Sequence, residues 1–305
     1  MKKAVKIVSA CAALLLAAGL GAIVYSQKSA EDSVPTVSVI DIPQTEAATE
    51  EPTTIPVYDD YTPSEMGMTE KAKMLLKQNK DIVGWIKIDN TYVDYPVFKD
   101  PGEIPEGIPY YGGQAYTAND FYLHHNMKRD YEFAGELFMD YRDNFGGVEN
   151  AQSENIVIYG HNMINQTMFG SLRNYYGDYK FIEKAQFIEL SSNYKDYDYV
   201  IFGCSVTGGS WYDDFTYWNM EELDDKKTFD YYVENVRQKQ LFDTDVDVEY
   251  GDKLLTLSTC YSDIGNRRFI IVARRLRDGE KAGDMSTIQR TKDDKTEETD
   301  SNTDS

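Results

Sequence analysis

LLTLSTCYSDIGNRRFIIVARR, residues 254–275, is the stretch on which the reading of this chain turns. It takes in nearly all of two short apolar runs, Lys253–Leu257 and Phe269–Leu276, with a brief polar loop between them. Runs of this length, rich in Leu, Ile, Val and Phe and bounded by turn residues, predict strands. A loop as short as Tyr261–Arg267 makes the two antiparallel neighbours. Cys260 then closes the first strand, and Arg267 and Arg268 open the second, so a thiol and a guanidinium meet at one strand end.

Working outward, the same signal recurs along the chain. Val83–Ile88 and Tyr92–Phe98 flank Asp89-Asn90-Thr91, a hairpin pattern. Gly135–Asp140, Asn155–Tyr159, Phe187–Leu190 and Tyr197–Ser205 complete about eight strands. The pattern predicts a mainly β protein with helical additions, a closed antiparallel barrel or a sandwich rather than a βαβ fold. Three helices are expected. Met68, Ala72, Leu75, Leu76 and Asn79 share helical spacing behind Thr69. Thr167–Tyr176 places Phe169, Leu172 and Tyr176 on one face and stops at Gly177. Met220–Gln240 carries Phe229, Val233, Val236 and Gln240 at helical spacing before the last two strands.

The segment NIVIYGHNM, Asn155–Met163, ends a further apolar strand at Gly160 and delivers His161. Brought to the same rim, Cys260, His161 and an arginine form a chemically coherent set. Thiolate is the reactive form of Cys, and a free thiol is mostly protonated at neutral pH. Histidine can take that proton and later give one to a departing amine. Arginine stays charged and presents several donors to a developing oxyanion. Each residue alone reads as readily otherwise: a strand-end Cys as core, a His after Gly as loop, and Arg267, Arg268, Arg274 and Arg275 as a solvated strand edge. Alternation lets at most one of His124 and His125 face such a site. Cys204, in YVIFGCSV, reads as a buried strand residue, with pairing to Cys260 the lesser alternative.

Taken together, YGHNM, TLSTC and RRFIIVAR resemble the signature segments of the sortases, in the same order. NKDIVGWIKIDNTYVDYPVF (Asn79–Phe98), DFYLHHN (Asp120–Asn126) and GELFMDYR (Gly135–Arg142) are similar to class B members of that family. The resemblance spans residues 66–277. It implies a closed eight-stranded barrel with an N-terminal helix and a helix between the sixth and seventh strands. It further implies a cysteine transpeptidase with Cys260 as nucleophile, His161 as proton partner and Arg268 as transition-state cation, working without metal or organic cofactor. His125, Ser258, Thr259 and Tyr261 are expected near the substrate. The implied substrates are secreted surface proteins with a C-terminal sorting signal of the NPxTx kind, cut after Thr. The implied acceptor is a cell-wall peptide amine or its lipid-linked precursor. The alternatives are a pilin-polymerising enzyme with a Lys acceptor and an inactive surface binding module.

The ends of the chain differ from its middle. After Lys2, Lys3 and Lys6, residues 7–27 carry no charge and are mostly apolar, close to the roughly 20 residues that span a bilayer. Residues 1–28 therefore read as a signal anchor with the N-terminus inside. That would place the rest outside the plasma membrane. Residues 29–65, with nine acids and no base, read as an acidic Pro/Thr/Glu stalk. Residues 278–305, with nine acids against four bases, read as a disordered tail. Of the net charge of −21, the ends account for about half and residues 66–277 keep −11, which argues against nucleic acid as partner.

Overall fold

The computed structural model describes residues 67–100, 118–145, 152–220, 223–261 and 266–285. Helix α1 (Glu70–Leu76) starts where Thr69 caps it, the Thr69 hydroxyl accepting from the Ala72 amide at 3.1 Å. Its Ala72 and Leu75 are buried, and Asn79 beyond it anchors to the Tyr122 hydroxyl at 2.9 Å. Eight strands follow: β1 (Ile82–Lys87), β2 (Asp94–Lys99), β3 (Leu137–Met139), β4 (Asn155–Tyr159), β5 (Phe187–Ser192), β6 (Asp196–Gly208), β7 (Leu254–Cys260) and β8 (Arg267–Arg275). Helix α2 (Arg173–Gly177) lies between β4 and β5, and α3 (Lys226–Lys239) between β6 and β7.

The strands close into a barrel in the order β1-β2-β3-β4-β7-β8-β6-β5. The barrel is mixed, which corrects the expectation of purely antiparallel pairing: β2–β3 and β4–β7 run parallel. Parallel neighbours need a long crossover, and the long connections from β2 to β3 and from β4 to β7 supply one each.

Alternation along the strands builds two cores. Leu255 and Leu257 of β7, Ile156 and Ile158 of β4, and Phe269 and Ile271 of β8 fill the barrel interior. Leu254, Val157, Ile270 and Val272, from the opposite faces of the same strands, pack outward beneath Phe229, Tyr232 and Val236 of α3. Strands covered on both faces read as continuous apolar runs. The helix comes close at Gly203, where a Cβ would lie 2.4 Å from Val236 Cγ1.

The described chain continues past the expected domain end at 277. Arg274 is not a solvated edge residue but is fully buried, and its guanidinium grips the Glu280 carboxylate at 2.5 and 2.8 Å. Arg277 makes a second fork onto Asp252, with both contacts at 2.8 Å. Met285 packs against the outer core. Residues 278–285 thus belong with the barrel, whereas 286–305 lie outside the described residues.

Arg274→Met would strand the Glu280 carboxylate, whose side chain is only 11% exposed. The expected loss is about 3–5 kcal/mol in urea unfolding. Ending the chain at Arg277 should shift stability the same way; an unchanged midpoint in both would show that the pair contributes nothing. Burial pushes the Glu280 pKa up, but the Arg274 hydrogen bonds, the Arg277 amide bond and the charges of both arginines together outweigh it, and the net direction is down. Its contribution is therefore complete above the unfolded carboxyl value of about 4.3 and disappears as pH falls through the folded one.

Candidate active site

The β7–β8 register sets Cys260 directly opposite Arg268. Facing residues of an antiparallel pair hold their Cβ atoms about 4.5–5.5 Å apart. On the other side of β7, Tyr159 of β4 pairs in parallel with Ser258, and the Gly160 amide donates to the Ser258 carbonyl at 3.2 Å. The next residues of the two chains, His161 and Cys260, therefore emerge side by side. By alternation Cys260 and Arg268 lie on the outward face with Leu254 and Ile270, so the group occupies the outer wall at the barrel rim, not the mouth.

Cys260 is exposed and free, and Cys204 is free and buried inside the barrel, so the two are not paired. Arg268 is half-buried. Among the described residues its hydrogen bonding is a long 3.4 Å contact from Nη1 to the Arg267 carbonyl, and no described carboxylate pairs with it. Gly209 makes room for it: a Cβ there would stand 3.1 Å from Arg268 Cζ. Arg267 is exposed and lies 5.8 Å from the Tyr261 ring centre. Behind this pair, Tyr217 is buried with its hydroxyl 2.5 Å from Ser258 Oγ. Burial pushes that hydroxyl up to about 12, with the Ser258 bond and the Arg268 charge pulling down and Cys260 pushing up. Tyr217 thus feels both members of the pair.

His161 is half-buried, with Nε2 3.0 Å from the Leu123 carbonyl. A carbonyl only accepts, so Nε2 carries the hydrogen and Nδ1 is left for other chemistry. The Phe133 ring stacks on the imidazole at 5.5 Å, and the His124 ring lies 5.3 Å away. Burial, and then the charge of His124, push the His161 pKa down, against a smaller upward pull from Leu123.

The accessory residues fall differently from expectation. His125 is buried, stacked on Phe121 with Nδ1 2.7 Å from the Phe121 carbonyl, and it is His124 that faces His161. Residues 121–127 form turns around an isolated bridge rather than a strand, so alternation does not apply there. Ser258 is sealed by Tyr217, and Thr259 points inward and donates to the Gly160 carbonyl at 2.7 Å. Both are buried and support the rim instead of lining it. Tyr261 alone of the four is partly accessible, edge-on to Tyr176 at 5.1 Å. Sequence reasoning weighed His124 only as the alternative to His125 and missed Phe133, an aromatic of the same turn that is exposed.

Among the described residues no group of His, Cys, Asp and Glu is arranged to hold a metal ion. No described helix is long and apolar enough to cross a membrane. The anchor expected over residues 1–28 and the stalk over 29–65 lie outside the described residues.

An eight-stranded barrel presenting Cys, His and Arg on adjacent strand ends defines a class of cysteine enzyme. The sortase domain matches residues 86–276, and the chain belongs to the sortase family, whose members are cysteine transpeptidases. Its relatives are of class B. Sortase B of Listeria monocytogenes is 32% identical over 191 residues, covering 63% of this chain and 67% of the relative. Sortase B of Staphylococcus aureus is 31% identical over 203 residues, covering 66% and 72%. Among solved structures, a mutant form of Clostridium perfringens sortase B superposes with a TM-score of 0.57 at 29% identity, covering 68% of this chain and 87% of that one. A Staphylococcus aureus sortase B–substrate complex gives 0.56 at 26% identity, covering 70% and 88%.

Proposed function

We propose that the chain cleaves a C-terminal sorting signal of the NPxTx kind after Thr and joins the protein to a cell-wall peptide amine. The register that sets Cys260 opposite Arg268, with His161 alongside, carries this reading. The Cys260 thiolate attacks the Thr carbonyl carbon, and Arg268 stabilises the oxyanion that forms. The carbon–nitrogen bond then breaks, with the proton reaching the departing amine from His161, and a thioester remains. An incoming amine attacks the thioester, gives its proton to His161 and releases the thiolate. A partly buried imidazole with Nε2 held by Leu123 suits this cycle, because burial limits how tightly it keeps the proton. Residues 1–28 would hold the enzyme at the outer face of the plasma membrane, where tethering raises the effective concentration of membrane-borne substrates.

Intact-protein mass spectrometry of the full chain mixed with NPxTx-type peptides tests the proposal. The expected result is an adduct with the mass of the N-terminal peptide fragment, discharged by an added amine. Absence of an adduct across a varied peptide set, with Cys260 still titrating as a free thiol, would overturn it.

A further inference from the structure

The His161 loop and the Cys260 strand are joined by one side chain. Asn162 donates from Nδ2 to the Cys260 carbonyl at 2.8 Å, while its Oδ1 accepts from Arg173 Nη2 at 2.7 Å. The β4–β7 ladder has run out at this point, its last main-chain bond being that from Gly160 to Ser258. The Asn162 amide therefore supplies the next rung, linking the residue after His161 to Cys260 itself.

The orientation of that amide is fixed by chemistry. A guanidinium only donates, so Arg173 must meet the amide oxygen and leave the NH2 group facing Cys260. A flipped amide would set donor against donor at Arg173 and acceptor against acceptor at the Cys260 carbonyl. Arg173 is held in turn, its Nε on the Gly170 carbonyl at 2.7 Å and Nη2 also on the Met163 carbonyl at 2.5 Å. The loop between is tied at both ends, with the Phe169 amide on the His161 carbonyl at 2.9 Å and Asn162 bridged to Met168.

We infer that Asn162 is a positioning residue that sets the spacing of His161 from Cys260, with Arg173 as the lock on its amide. The inference rests on the proposed roles of those two residues. It predicts a loss in the chemical step rather than in substrate binding, since neither Asn162 nor Arg173 needs to touch the peptide.

The test is single-turnover acylation of the full chain in five forms: parent, Asn162→Asp, Asn162→Leu, Arg173→Lys, and Asn162→Leu with Arg173→Lys. Asn162→Asp keeps an oxygen for Arg173 but turns a second one on the Cys260 carbonyl. It should melt with the parent and acylate roughly 10–100-fold more slowly at little-changed KM, the scale of a small misplacement of reacting groups. Arg173→Lys should cost clearly less on top of Asn162→Leu than in the parent, because only its bonds to the Gly170 and Met163 carbonyls are then left to lose. Parent-like acylation by Asn162→Asp, or losses that add in the double variant, would overturn the inference.

Alkylation of Cys260 by iodoacetamide across pH needs no peptide, and so separates this inference from the sorting proposal. If the parent makes no acyl adduct but Asn162→Leu shifts the alkylation profile as His161→Ala does, the sorting proposal fails and the positioning role stands. A profile that only His161→Ala moves would reject the positioning role.

Discussion

Cys260→Ala is expected to leave the barrel folded and to abolish transfer. Cys260 is exposed at the end of β7 and unpaired, so its sulfur contributes little to the core. Without it there is no atom to carry the acyl group, and loss of a covalent nucleophile typically lowers turnover by about 10⁶. The check is twofold: the thermal midpoint of the variant should match the parent, and no acyl adduct should form. Cys204 supplies the contrast within one molecule. Burial pushes its thiol far up, so iodoacetamide should label Cys260 and spare Cys204 in the native protein. Amine transfer surviving in Cys260→Ala would move the chemistry elsewhere on the chain.

That expectation descends from a strand end legible in the sequence, and the legible parts share a physical character. All eight strands announce themselves because each buries at least one face, and Asn155–Tyr159 is read to the residue. Local capping chemistry was less visible. The helix expected from Met220 begins at Lys226, where Asp225 accepts from the Thr228 amide at 3.0 Å. The helix expected from Thr167 begins later because Gln166 and Met168 take positive φ, which no helix accommodates. Pairing between distant strands is not written in either strand's own pattern, so the two parallel contacts could not be read.

The site divides along the same line. The register of β7 on β8 follows from a short loop, which brings Cys260 and Arg268 together from sequence alone. Which side chains remain open to solvent depends on what covers them. Ser258 shares the face of Cys260 but is closed over by Tyr217, which arrives from the segment before α3. Composition misled at the C-terminal end for a related reason. An acidic residue in a charged stretch looks solvated until a buried arginine such as Arg274 turns out to need it.

Arg268→Met should lower acylation by about 10²–10³ without changing the melting point, the cost typical of removing one oxyanion donor. Stability should hold because no described carboxylate depends on this guanidinium. The missing counter-charge is also what leaves it able to meet an oxyanion: an arginine already neutralised, as Arg274 is by Glu280, has less to offer. Arg268→Lys keeps the charge but loses the planar fork, so its rate should fall between parent and Met. Arg267→Met serves as the control. Arg267 sits one residue earlier on the same strand and is directed to Tyr261, so its loss should alter the rate far less. A larger defect from Arg267→Met than from Arg268→Met would reassign the cation. Equal and small defects would instead leave the oxyanion to main-chain donors near Cys260.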